Sequence, residues 1–167
     1  EKTYLLESRL TPVARRQGLE GLDDLAELVR TNPTGSLMQE ITEVMTTNES
    51  FFFRDVAPFE NLSKYVLPML RQKKSSDRKI RIWCAACSTG QEPYSIAMLL
   101  KEQAGLWRDW DIEILGTDIS RDVLRKAEDG IYSQFEVQRG LPIRKMIKYF
   151  ERVGDMWQLS DEIRNKV

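Results

Sequence analysis

From Lys2 to Met45 the apolar residues recur every three or four positions, the period of helices with one buried face. Leu6, Leu10, Val13 and Gln17 predict a first helix over 2–17. Pro12 should kink or restart it, with Thr11 placed to cap the restart. Gly18 and Gly21 flank a turn, and Leu22, Leu25, Leu28 and Val29 predict a second helix. Asn32-Pro33-Thr34-Gly35 is a turn signal. Ser36 is placed to cap a third helix carrying Leu37, Ile41, Val44 and Met45. Together they make an N-terminal helical domain over 1–45, short for an independent core.

The pattern then changes. Thr46 to Asp55 sets three consecutive rings, Phe51, Phe52 and Phe53, between polar ends. This reads as a buried connector, each ring worth ~1.5–3 kcal/mol when buried. Pro58 can start a helix through Phe59, Leu62, Val66 and Leu70, bent near Pro68. Lys73 to Lys79 is polar, so 46–79 reads as a linker holding a loop and a helix. Ile80–Trp83 is a short apolar strand. Small residues follow, and then a helix from Pro93 with Ile96, Leu99 and Leu100 inward, closed by Gly105. Asp111–Thr117 is a second strand ending at Asp118. Ser120 caps a helix with Val123, Leu124 and Ala127 inward, closed by Gly130.

Strand, helix, strand, helix predicts an α/β fold with a parallel, right-handed doubly wound sheet. Beyond Gly130 the pattern weakens. Ile143–Phe150 reads as a helix, Met156–Leu159 as a short strand, and Asp161–Val167 as a turning segment. A parallel sheet covered on both faces needs more than two strands. Residues 80–167 are therefore expected to be the first part of a larger domain.

Charge and composition narrow the chemistry. Lys and Arg number 25 against 26 Asp and Glu, a net charge of −1, which argues against bulk binding to nucleic acid. No apolar run is long enough for membrane insertion, and no signal peptide is visible. The chain opens on Glu1 rather than Met, so a trimmed start is expected. Cys84 and Cys87 are its two cysteines and it has no histidine. That is no disulfide scaffold, it offers too few ligands of the usual kind for a metal such as zinc, and it lacks the commonest acid–base side chain. A reduced, cytoplasmic protein is the reading. Lys2, Arg9 and Arg16 fall seven apart with Arg15 beside them. This basic stripe is either a solvated helix face or a docking surface for an acidic partner helix.

Two stretches could carry chemistry. Trp83-Cys84-Ala85-Ala86-Cys87 looks like the thioredoxin active-site motif. In thioredoxin the helix starts at the motif, whereas here Ser88-Thr89-Gly90-Gln91 intervenes, so two free thiols lining a tight turn is the preferred reading. The second candidate is a nucleoside site. A strand, a small-residue turn and a helix N-terminus, with an acid at the end of the next strand, is the arrangement that receives ribose hydroxyls on the acid. Asp118 is that acid, although a strand-end Asp can also serve only as a turn former or cap. One Gly stands where a dinucleotide fingerprint has three, so the pattern favours some nucleoside over NAD.

Three segments also carry a family resemblance. Thr47-Asn48-Glu49-Ser50-Phe51-Phe52-Phe53-Arg54-Asp55 is the first, and Cys84 through Ala97, with its Cys87-Ser88-Thr89-Gly90-Gln91-Glu92-Pro93-Tyr94 centre, is the second. Gly116-Thr117-Asp118-Ile119-Ser120, followed by Ala127 and Gly130-Ile131-Tyr132, is the third. In this order and spacing they resemble the chemotaxis receptor methyltransferases, the CheR family. The resemblance implies a small N-terminal helical domain followed by a Rossmann-like S-adenosyl-L-methionine-dependent methyltransferase domain, incomplete in this chain. It implies a small β-subdomain inserted after the second Rossmann helix, here over 131–165. It implies methyl transfer to glutamate side chains on the cytoplasmic helices of methyl-accepting chemotaxis receptors, with S-adenosyl-L-homocysteine as product.

It further implies that Asn48, Ser50, Arg54, Glu92 and Asp118 contact the cofactor, Ser50 standing where the family often has Thr. It names no catalytic residue within this chain. Arg54 is then a partner for the methionine carboxylate, Glu92 for the amino end and Asp118 for the ribose. Arg9, Arg15 and Arg16 would face the acidic receptor and raise the on-rate. Some members also tether a receptor C-terminal peptide on the β-subdomain, and Glu151-Arg152-Val153-Gly154-Asp155-Met156 is shorter than the Gly-rich loop associated with them. The alternative from another class is a non-catalytic module that binds S-adenosyl-L-methionine or a receptor and signals by occupancy.

Overall fold

The computed structural model describes residues 3–33 and 35–167. The expected helix start at Lys2, that residue's place in the basic stripe, and Thr34 of the turn lie outside the described residues. The described residues group into two compact units. One runs to Thr47 and takes in Ile119–Asp122; the other comprises Asn48–Asp118 and Val123–Val167.

The first unit packs α1 (Thr3–Arg16), α2 (Leu22–Thr31) and α3 (Gly35–Met45) around Val13, Ala14, Leu25 and Leu37. Leu10, Leu22, Leu28, Val29, Ile41 and Val44 close around them, as the helical spacing predicts. Leu6 and Gln17 remain exposed, so the buried stripe of α1 is shorter than its pattern. The helix runs through Pro12 without restarting. Proline deprives the carbonyl four residues back of its donor. That carbonyl belongs to Ser8, which is exposed, as is Pro12 itself. Thr11 accordingly sits inside α1, and Ser36 inside the first turn of α3 rather than capping it. Glu43 on α3 holds the Ile119–Asp122 segment by accepting from the Ser120 hydroxyl and, at 2.7 Å, from the Arg121 amide.

In the second unit, α4 (Ala57–Asn61) and α5 (Leu67–Lys73) flank a π turn over Leu62–Val66. The turn lies just ahead of Pro68, where a bend was expected, and in it Leu67 N donates to Leu62 O with the wider spacing of a π turn. Phe52 and Leu67, in a segment expected as a linker, are fully buried in this unit's core. Strands β1 (Lys79–Ala85) and β2 (Asp111–Thr117) pair in parallel, Lys79 opposite Asp111 and Ala85 opposite Thr117. Between them runs α6 (Gln91–Glu102), buried at Pro93 through Met98 and again at Leu100. It starts two residues before the expected Pro93. It ends at Glu102, ahead of Gly105, which lies in a 3-10 turn over Ala104–Leu106.

The strand pair buries Ile80, Cys84 and Ile114 on one face. Its other face exposes the register partners Trp83 and Leu115, 70% and 53% accessible. Helix α7 (Arg121–Asp129) ends at Gly130, whose φ of +64° supplies the left-handed turn a helix end needs. A second sheet follows: β3 (Ile131–Ser133), β4 (Phe150–Val153) and β5 (Met156–Leu159), antiparallel in the order β3-β5-β4. Helices α8 (Gln134–Gln138) and α9 (Ile143–Tyr149) lie between β3 and β4, and α10 (Asp161–Arg164) follows β5. Ser133 and Glu136 form a capping box at the start of α8.

Candidate functional site

The parallel pair ends in a turn of small residues. Cys87 N donates to Thr117 O at 2.9 Å, carrying the strand pairing past Ala85 into the turn. Ala86 and Ser88 have φ of 57° and 51°, left-handed values unusual for non-glycine residues, and Gly90 has 89°. Ala85 and Ala86 are exposed, so a ligand can approach the backbone there. Gly116 of β2 permits this packing: a Cβ on it would stand 3.0 Å from Cys87 Sγ.

Three segments that are remote in sequence meet at this turn. Ser88 N donates to Asp118 Oδ2 at 2.8 Å, and the Ser88 hydroxyl donates to Asn48 O at 2.8 Å. Phe53 N donates to Ser95 Oγ at 2.9 Å, while that hydroxyl donates to Gln91 O at 2.6 Å. Phe52 inserts edge-on between Tyr132 and Phe150, ring centroids 5.1 and 5.5 Å away. Tyr132 is buried, and its hydroxyl donates to Thr89 O at 2.7 Å. From the 139–142 stretch, Arg139 pairs with Glu49 at 2.6 Å and stacks on Phe51. Arg139 beside it, with Arg54 further off, holds the Glu49 carboxyl below its usual range.

Each expected site residue has a defined place. Asn48 and Asp118 are brought together through Ser88. Ser50 is half-buried within the loop. Arg54 keeps an exposed guanidinium, which donates to Glu49 O at 3.1 Å and lies 5.6 Å from the centre of the Phe51 ring. Glu92 is exposed in the first turn of α6, and its charge adds to burial in raising the Cys84 thiol. One oxygen of Asp118 thus already serves the turn, the second of the two roles that a strand-end Asp can take.

Sequence reasoning missed Ser88, Ser95, Arg139 and Gly140. A Cβ on Gly140 would fall 2.1 Å from Phe52 O, so only glycine fits, and its φ is +80°. The hydroxyls of Ser88 and Ser95 were visible in the motif, but their partners 40 and 42 residues away were not.

The thioredoxin-like reading does not survive the geometry. Both cysteines are free and buried. Burial, followed by the neighbouring Glu92, pushes the Cys84 thiol up to about 12, and burial raises Cys87 as well. Neither is a thiolate at neutral pH. The basic stripe is also altered. Arg9 donates to Met45 O at 2.8 Å and to Thr47 Oγ1 at 3.2 Å, so it ties α1 to the end of α3 rather than standing open to a partner. Arg16 pairs with Glu40 at 2.6 Å, and Arg15 is exposed.

Residues 48–167 match the family described as CheR methyltransferase, SAM binding domain. The chain belongs to this family. Its cofactor is S-adenosyl-L-methionine, and the fold is a helical N-terminal part followed by a partial Rossmann-like methyltransferase domain. Similar CheR relatives include chemotaxis protein methyltransferase Cher2 of Pseudomonas putida, 36% identical over 99% of this chain and 62% of the relative. Chemotaxis protein methyltransferase 1 of Pseudomonas aeruginosa is 37% identical over 99% of the chain and 61% of the relative. Chemotaxis protein methyltransferase 1 of Vibrio cholerae is 37% identical, with 99% and 60% covered. The chain spans about 60% of the length of these curated CheR relatives. No described helix is long and apolar enough to cross a membrane.

Proposed function

We propose that this chain is the N-terminal portion of a protein-glutamate O-methyltransferase acting in the cytoplasm on the cytoplasmic helices of methyl-accepting chemotaxis receptors. The observation that carries the reading is the convergence of three motif segments, through Ser88, at the carboxyl end of a parallel strand pair. Open α/β sheets hold their ligands in that crevice. The donor set suits the cofactor. Arg54 offers a guanidinium to the methionine carboxylate, Glu92 a carboxylate to the amino group, and Asp118 acceptors to the ribose, while Asn48 and Ser50 line the loop. The exposure of Ala85 and Ala86 supports an approach of the ligand to the turn backbone.

When bound, S-adenosyl-L-methionine supplies a sulfonium methyl that an ionised carboxylate accepts without a base, the reference pKa of glutamate being ~4.3. The residues of this chain therefore have no proton to move, and a sequence without histidine is suited to the task. Their work is to bind, align and exclude water. Phe52, buried between Tyr132 and Phe150, anchors the loop that carries Arg54. On the helical unit the exposed Arg15 is the residue we assign to meet an acidic receptor helix.

The test uses the complete protein containing this chain, S-adenosyl-L-methionine labelled in its methyl group, and a receptor cytoplasmic fragment. Label that enters the receptor and is released by mild base as methanol identifies a carboxyl ester. Tight binding of S-adenosyl-L-homocysteine with no transfer would make the protein a signalling module instead.

A further inference from the structure

We propose that Ser88 is a positioning residue of the cofactor site, fixing the spacing between the Asn48 loop and Asp118. The inference rests on the cofactor reading given above. Ser88 is 6% accessible, has φ of 51°, and touches two of the three motif segments from one backbone position. Its amide reaches Asp118 across 30 residues and its hydroxyl reaches Asn48 O across 40. The amide bond orients the Asp118 carboxylate, and the hydroxyl sets how far the Asn48 loop stands from it.

Glycine is the residue that fits a left-handed turn without strain. A turn whose only task was to reverse the chain would be better served by glycine, as at the neighbouring Gly90. Ala86 holds a similar φ in the same turn without a polar side chain, and what sets Ser88 apart is the bond its hydroxyl makes to Asn48 O. Ser95 holds the loop through Phe53 N and Arg139 holds it through Glu49, so loss of the Ser88 hydroxyl leaves the loop attached but removes its tie at Asn48.

The contrast between Ser88→Ala and Ser88→Gly separates positioning from turn formation. Both remove the hydroxyl and keep the amide. Alanine keeps the backbone strain, whereas glycine relieves it, so Ser88→Gly should melt above Ser88→Ala. In calorimetric titrations of the complete protein, both should bind S-adenosyl-L-homocysteine about three- to tenfold more weakly than wild type, the range expected for one neutral hydrogen bond. The KM for S-adenosyl-L-methionine should rise by a similar factor, with the KM for the receptor unmoved. If affinity instead follows melting temperature, with Ser88→Gly binding as wild type does, Ser88 is a turn former and the proposal fails. Variants that bind like wild type refute the role of Ser88 alone. A wild-type protein that does not bind the ligand refutes the cofactor reading and this inference with it.

Discussion

Replacing Asp118 with Asn changes almost no volume and removes one charge. Its Oδ2 accepts from Ser88 N at 2.8 Å. In the proposed complex the ribose hydroxyls donate to the same carboxylate. Both demands are made by donors, which an aspartate meets with two oxygens and about four acceptor positions. Asparagine has one acceptor oxygen, and its NH2 must face one of the two donors. If the amide oxygen stays with Ser88, the ribose loses a charged acceptor. A bond to a charged group contributes roughly 1.5–3 kcal/mol against roughly 0.5–1.5 for a neutral one. The loss is then about 1.4 kcal/mol or more, a factor of about ten in affinity. If the oxygen turns to the ligand, the turn loses its closing bond, and the cost appears in the melting temperature at ~2–4 °C per kcal/mol for a chain of this size. Titration with S-adenosyl-L-homocysteine and a thermal melt, both on the complete protein, read the two alternatives separately. Unchanged affinity together with unchanged melting would show that Asp118 serves neither ligand nor turn.

Three further outcomes follow from the same geometry. Gly140→Ala should lower the melting temperature by several degrees and weaken cofactor binding, because its Cβ would meet Phe52 O; calorimetry on the mutant checks both. The Cys84 thiol has a folded pKa of about 12 against an ordinary 9.0, so the folded state keeps a proton that the unfolded state loses. Its contribution is full below pH 9.0 and is lost as pH rises toward about 12; urea unfolding at about pH 8 and about pH 10.5 should show stability falling, and falling less in Cys84→Ala. Arg15→Glu should raise the KM for receptor a few-fold at low salt and leave S-adenosyl-L-homocysteine affinity unchanged, whereas equal loss of both would count against docking by that face.

Most of the larger elements were legible because their apolar periods are long. Strands β1 and β2, α7 with Gly130 behind it, and the three N-terminal helices follow from spacing alone. Of the β-subdomain over 131–165 that the resemblance implied, the individual elements β3, α8 and β4 were not legible, for the opposite reason. Ile131–Ser133 is too short to show alternation, and α8 has five residues, although its Ser133–Glu136 box was a readable start signal. At the site, Asn48, Arg54, Glu92 and Asp118 stood in motifs and could be named. What joins them could not, because a hydroxyl bonded to a carbonyl 40 residues away leaves no periodic trace. Arg9 shows the converse: its place in a seven-residue stripe suggested a solvent-facing cation, but a main-chain carbonyl on another helix had claimed it.

The fastening of the Asn48–Asp55 loop also sets an order of assembly. Its ties span 40, 42 and 90 residues, to Ser88, Ser95 and Arg139. Contacts that close long stretches of chain cost entropy before they return anything, so they form after the local ones. The strand pair and α6 can assemble without the loop, but the loop has nothing to close upon until they and the second sheet exist. It should be the last segment to order and the first to open. Hydrogen exchange would show this as early loss of protection at the Phe53 amide, well ahead of the β1 and β2 amides. A ligand gripping Arg54 and Asp118 would slow that exchange most, since its binding energy would add to the ties that hold this loop to the rest of the unit.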